Sequence, residues 1–182
     1  VYATLAEKGF FPKQWLMTLN QGATNLPSHC DMRKTPGVDF TTGSLGQGFS
    51  AAVGIALGQK LKGESSWTFT IIGDGESQEG QIWESALFAG NYGLDNLIAF
   101  VDYNKMQCDG YMSAISDMYP FDDKWKAFNW YVQVIDGHDV QAIASAIDNA
   151  SKVKRPSVII MNTVKGKGAN FCENQPNCHH LT

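Results

Sequence analysis

Two short apolar runs, and what lies between them, constrain this chain most. Trp67-Thr68-Phe69-Thr70-Ile71-Ile72 and Leu97-Ile98-Ala99-Phe100-Val101 are rich in β-branched and aromatic residues and are bounded by glycine or polar residues. That is the pattern of buried strands in a parallel sheet. Between them, Gln78 to Asn91 carries Ile82, Trp83, Ala86, Leu87 and Gly90 on one helical stripe. Strand, helix and strand in this order form a crossover in which both strands run the same way. Their ends then share the carboxyl edge, where open α/β sheets bind ligands. Gly73-Asp74-Gly75 closes the first run and Asn104 follows the second. On neighbouring strands the two would stand roughly 5 Å apart laterally.

An aspartate carboxylate and an asparagine carbonyl are hard oxygen donors. A Mg²⁺ ion takes one or two such protein oxygens and completes its octahedron with phosphate oxygens and water. Gly75 lets backbone approach a bulky ligand, and the following helix turns its positive end to the same edge. The pair therefore reads as half of a metal–phosphate clamp. The plainer reading is a strand-to-helix turn capped by Asp74, with Asn104 in an unrelated loop. An asparagine at the end of the second strand, after a helix of the right length, favours the clamp.

The rest of the chain fits one α/β domain. With 182 residues, 43% hydrophobic and 18% charged, it can bury a real core. A net charge of −4 gives no footprint for nucleic acid or an anionic membrane surface, and no apolar run of 18 residues spans a bilayer. Val1 begins without a methionine, basic stretch or leader-like apolar region. Cys30, Cys108, Cys172 and Cys178 show no CxxC spacing, which favours reduced thiols and a cytoplasmic location. Cys172, Cys178, His179 and His180 cluster, but at a spacing that matches no usual zinc knuckle.

Val1 to Lys8 and Pro12 to Asn20 read as two short helices, and Gln21 to Thr42 as a long loop of the kind that carries function. Thr42 to Gly48 opens a helix with Phe49, Ala52, Val53, Ala56, Leu57 and Leu61 inward, ending at Gly63. Its glycines do not follow a strand, which disfavours a dinucleotide fingerprint. Cys108 to Pro120 reads as loop, Asp122 to Asn129 as helix, and Tyr131 to Ile135 as strand. Val140 to Val153 reads as a helix with Ile143, Ala144, Ala146, Ile147 and Ala150 inward, and Pro156 to Thr163 as a last strand. Asp136-Gly137-His138-Asp139 is a turn and helix cap. Gly80, Ala86 and Gly90 look suited to close packing against another helix. The expected fold is doubly wound, with a mostly parallel sheet and helices on both faces.

GDGESQEGQIWESA followed by LDNLIAFVDYNKMQ resembles the transketolases, thiamine diphosphate enzymes. The resemblance implies that Asp74, Asn104 and the Met106 carbonyl hold a divalent cation, Mg²⁺ or alternatively Ca²⁺ or Mn²⁺, that grips the cofactor's diphosphate. LPSHCDMRKTPGVDFTTGSLGQG is also similar to that family. It implies His29 near the substrate channel, with Cys30 where proline is usual, and Gly43, Ser44 and Leu45 beside the cofactor, together with Gly75. TVKGKG implies Lys165 at the cofactor and His179 in the active site, with His180 as the adjacent alternative. The resemblance gives Glu79 a part in a proton network across a dimer interface. Implied with it is a transferase of the pentose phosphate pathway type, moving a two-carbon ketol unit between sugar phosphates. Residues 1–182 would form a single diphosphate-binding domain, lacking the family's first N-terminal segment and its pyrimidine-binding and C-terminal domains. Such a chain would act as a homodimer, with a separate pyrimidine-binding subunit, or both. A deoxyxylulose phosphate synthase, or a non-catalytic cofactor-binding or interaction fragment, is the alternative.

Overall fold

The computed structural model describes residues 1–179, and its contacts fall into two compact units, one of residues 1–44 and one from Leu45 onward. The first unit opens with α1 (Tyr2–Glu7), whose Ala6 joins Phe11 and Leu26 in a small buried cluster flanked by Tyr2, Leu5, Trp15 and Leu16. The expected second helix is instead a 3₁₀ turn over Lys13–Thr18, entered from extended Pro12 and left through extended Leu19. Gln21 to Thr42 is loop, as expected, pinned by side chains bonding to backbone: Tyr2 Oη donates to the Pro27 carbonyl at 2.6 Å and Thr35 Oγ1 to that of Asn25 at 2.5 Å.

In the second unit α2 (Gln47–Leu61) precedes β1 (Thr68–Gly73), and α3 (Gly80–Asn91) carries the crossover to β2 (Leu97–Tyr103). A two-residue hairpin follows, β3 (Met106–Gln107) with β4 (Gly110–Tyr111), then the single turn α4 (Met112–Ile115). β4 and α4 lie within Cys108 to Pro120, where sequence reading saw only loop. Next come α5 (Phe121–Ala127), β5 (Tyr131–Asp136), α6 (Val140–Ala150) and β6 (Ser157–Asn162). The main sheet is parallel throughout, in the order β1-β2-β6-β5. Helices cover both faces, as the apolar runs imply. Phe49, Val53 and Ala56 of α2, Ile82, Ala86 and Ala89 of α3, and Phe121 and Trp125 of α5 bury one face, with Trp130 beside them. Ala146 and Ala150 of α6 cover Ile98, Phe100 and Ile159 on the other.

Several expected core positions lie outside. β1 is an edge strand, so Phe69 and Ile71 are 53% and 73% exposed. β2 and β6, each flanked on both sides, are the buried strands, over Leu97–Val101 and Ser157–Ile160. Leu61, Leu87 and Ala144 also face solvent. The small residues of α3 do pack closely, but within this unit. A Cβ on Gly90 would fall 1.8 Å from the Phe128 carbonyl oxygen, and the Ala86 carbonyl accepts from Trp130 Nε1 at 2.9 Å, while nothing lies near Gly80.

Candidate functional site

β1 and β2 are parallel neighbours with Gly73 opposite Asp102, so the residues after them leave one edge together. The Asp74 N–H extends the ladder to the Asp102 carbonyl at 3.2 Å. The Asp74 residue is 1% exposed, and its carboxylate accepts two backbone N–H groups, from Gly75 at 2.8 Å and from Lys105. Lys105 has a φ of +65°, which a long side chain rarely adopts. It is fixed from both sides, since Asn104 Oδ1 accepts the N–H of Met106 at 2.9 Å. One turn thus gathers Asp74, Asn104 and Met106, the three expected clamp residues.

Burial pushes the Asp74 carboxyl up to about 6, against the pull of the Lys105 and Gly75 N–H groups, and the Asp102 charge adds to the rise. Asp74 enters no ion pair among the described residues. A buried carboxylate with a second acid nearby and only N–H dipoles around it is short of positive charge. Carboxylate, amide oxygen and peptide carbonyl are the donors a hard divalent cation takes. The residues present therefore fit such an ion. Beside them opens a cavity of about 510 Å³ lined by Asn104, Met106, Tyr111, Asp117 and Thr163 among others.

Gly75 is close-packed for a reason the sequence did not show: a Cβ there would come 2.9 Å from Gln107 Cβ. Gln107 Oε1 is buried and has no hydrogen-bond partner among the described residues. Glu76 also went unseen in the sequence. Its carboxylate accepts the N–H of Gly46 at 2.9 Å and of Gly73 at 3.1 Å, tying the start of α2 to the end of β1. An acid two residues after a strand-end aspartate is the signal that could have found it.

Lys165 and His179 also come together, with Lys165 Nζ 2.9 Å from His179 Nδ1. His179 follows a 3₁₀ turn, Pro176–Cys178, and also lines a cavity of about 350 Å³ with Cys108 and Asn177. Two of the expected free thiols, Cys172 and Cys178, are paired as a disulfide with Cα atoms 5.6 Å apart, while Cys30 and Cys108 are free. Their sequence separation gave no hint, because the turn brings them back. His180 lies outside the described residues. Glu79 is exposed at the N-cap of α3 and makes no side-chain capping bond.

In the first unit His29 lies against Gly43, whose φ is +137° and whose absent Cβ would meet His29 Cδ2 at 2.2 Å. Only glycine suits that position. Ser44 and, at the start of the second unit, Leu45 are exposed, Leu45 by 54%. No helix among the described residues is long and apolar enough to cross a membrane.

The family model for the transketolase, thiamine diphosphate binding domain, matches residues 2–181. The chain is 57% identical to the 6-deoxy-6-sulfo-D-fructose transketolase subunit SqwG of Clostridium sp. (strain MSTE9), over 100% of this chain and 66% of that protein. It is 41% identical to a subunit of the apulose-4-phosphate transketolase of Actinobacillus succinogenes, over 98% of this chain and 65% of that one. It thus spans just under two thirds of the length of these curated relatives. Among solved structures, transketolase from Campylobacter jejuni superposes with a TM-score of 0.85 at 30% identity, over 91% of this chain and 27% of that one.

Proposed function

This chain belongs to the transketolase, thiamine diphosphate binding domain family, and on that premise we propose that Asp74, Asn104 and the Met106 carbonyl hold a divalent cation that grips the diphosphate of thiamine diphosphate. The buried Asp74 carboxyl, raised to about 6 and bonded to the N–H groups of Gly75 and Lys105, carries this reading. A cation would remove its electrostatic cost, with Mg²⁺ the first choice and Ca²⁺ or Mn²⁺ the alternatives. When bound, thiamine diphosphate supplies the nucleophilic carbon and the electron sink for ketol transfer.

The chain's own residues orient and protonate. Gly75, Gly43, Ser44 and Leu45 let backbone lie close to the cofactor. Lys165 brings positive charge to its anionic end and stands against His179. His179 handles a proton at a sugar hydroxyl, a task suited to an imidazole near neutral pH. His29 serves as a second hydroxyl-binding imidazole, and Glu79 as part of a proton network at a subunit interface. The roles of His29, Glu79, Gly43, Ser44 and Leu45 rest on the family alone.

The activity we propose is transfer of a two-carbon ketol unit from a ketose to an aldose, completed by dimerisation and by a separate pyrimidine-binding subunit. The names of two relatives support a split enzyme and an anionic sugar substrate. The 57% identity makes a C6-sulfonated ketose the first donor to test, with phosphorylated ketoses as comparison. Calorimetric titration of the chain with Mg²⁺ and thiamine diphosphate should show metal-dependent binding that Asp74→Ala abolishes. Undiminished binding in that variant would sink the clamp. Ketol transfer should appear in a coupled assay only when a matching pyrimidine-binding subunit is added, and robust turnover by this chain alone would refute the split site.

A further inference from the structure

We propose that His138 is a positioning residue that fixes the strand exit carrying Lys165 against His179, an inference that rests on the reading of those two residues as the cofactor end of the site. β5 and β6 run in register with Asp136 opposite Asn162, where their ladder stops. Two residues further along each strand stand His138 and Val164. There a side chain replaces the backbone acceptor, and the Val164 N–H donates to His138 Nε2 at 2.8 Å. Lys165 is the next residue, with its Nζ 2.9 Å from His179 Nδ1.

The turn that presents the imidazole is fixed on both sides. The His138 N–H donates to Asp136 Oδ1 at 2.8 Å, and Asp139 Oδ1 caps α6 by accepting from Gln141 at 2.8 Å and Ala142 at 3.2 Å. Gly137 lies flat on β6. Its N–H donates to the Asn162 carbonyl at 2.9 Å, and a Cβ would come 2.5 Å from Thr163 Cγ2 and 2.7 Å from Met161 Cβ. From the β2 side, Asp102 accepts the Thr163 hydroxyl and the Tyr103 carbonyl accepts the Thr163 N–H at 3.3 Å. The Thr163-Val164 segment is thus gripped by β2 on one side and the His138 turn on the other. To accept an N–H, Nε2 must be unprotonated, so the imidazole carries its proton on Nδ1. In sequence the IDGHD string reads as a turn and cap, while this bond gives its histidine a task at the edge where Lys165 emerges.

The test compares His138→Leu with His138→Gln, whose side-chain oxygen can accept the same N–H. In His138→Leu the Val164 amide should lose hydrogen-exchange protection and the His179 imidazole resonances should shift, both in the cofactor-free chain. Binding of thiamine diphosphate with Mg²⁺, followed by tryptophan fluorescence, should weaken about three- to tenfold, the worth of one net hydrogen bond. His138→Gln should stay within about twofold of wild type. A merely structural role would shift the unfolding midpoint without the contrast between the two variants or the change at His179. Unchanged Val164 protection and His179 resonances in His138→Leu, or equal loss in both variants, would overturn the proposal. A wild-type chain that binds no cofactor would instead overturn the proposed function, and the exchange and imidazole readouts would still decide the role of His138.

Discussion

Replacing Asp74 with asparagine should make the cofactor-free chain less sensitive to rising pH even as it abolishes cofactor binding. The fold holds the Asp74 proton more tightly than the unfolded chain does, because burial raises its carboxyl from 3.8 to about 6. Stability from this group is therefore full below the unfolded value and is lost as pH rises through about 6. Between pH 4 and pH 7.5, linkage with those two values gives a loss of about 2 kcal/mol. The substituted amide cannot ionise, so the profile of Asp74→Asn lacks that fall. It also has one oxygen for the two N–H groups of Gly75 and Lys105, a pH-independent penalty of about 1–3 kcal/mol that shifts the whole curve. The comparison is thus of slopes. Urea unfolding suits it, since Trp125 and Trp130 are 0% and 1% exposed and report the core by fluorescence. Adding Mg²⁺ and thiamine diphosphate at about a hundred times the dissociation constant should restore about 2.7 kcal/mol to wild type and nothing to Asp74→Asn. Parallel pH profiles for the two chains would refute the argument that this carboxylate is held at an electrostatic loss.

Asn104→Ala should weaken Mg²⁺-dependent thiamine diphosphate binding more than about tenfold, since even outer partners of metal ligands are worth that much, and calorimetry that finds the affinity intact would count against the clamp. With the partner subunit present, His179→Ala should lower kcat/KM by roughly 10²-fold, the scale of one positioned acid–base group, whereas damage from His180→Ala instead would move the role by one residue. Gly90→Ala sets a methyl group against the Phe128 carbonyl and should cost about 1–3 kcal/mol in urea unfolding; a wild-type midpoint would mean that the α3 contact yields easily.

The crossover was legible because apolar runs and helical stripes report burial directly. That Asp74 and Asn104 leave one edge was legible because parallel strands deliver their ends together. What escaped was set by pairing across the chain. β1 reads like β2, yet its place at the sheet edge leaves Phe69 and Ile71 open, and nothing local to the strand records that place. Gln107 and His138 act on a packing neighbour or a backbone group supplied by another segment, so their own neighbours in sequence say nothing of it, and the Glu76 bond to Gly46 likewise reaches across the chain. The Cys172–Cys178 pair escaped because it depends on the path of a loop.

The exposed side of β1 also bears on how this protein behaves in a tube. Thr68 to Gly73 contains no charge and no proline, and among the described residues it has a strand neighbour on one side only. Sheet edges are ordinarily guarded by lysine, proline or a bulge, which prevents strands of separate molecules from joining. β1 carries none of these gatekeepers within itself, so its colloidal stability depends on whatever shields it from outside the strand. Left bare, it offers both a row of unsatisfied peptide groups and two large apolar side chains to the next copy. Light scattering should then grow with concentration, and a lysine in place of Ile71, 73% exposed, is the single change best placed to keep the chain in solution.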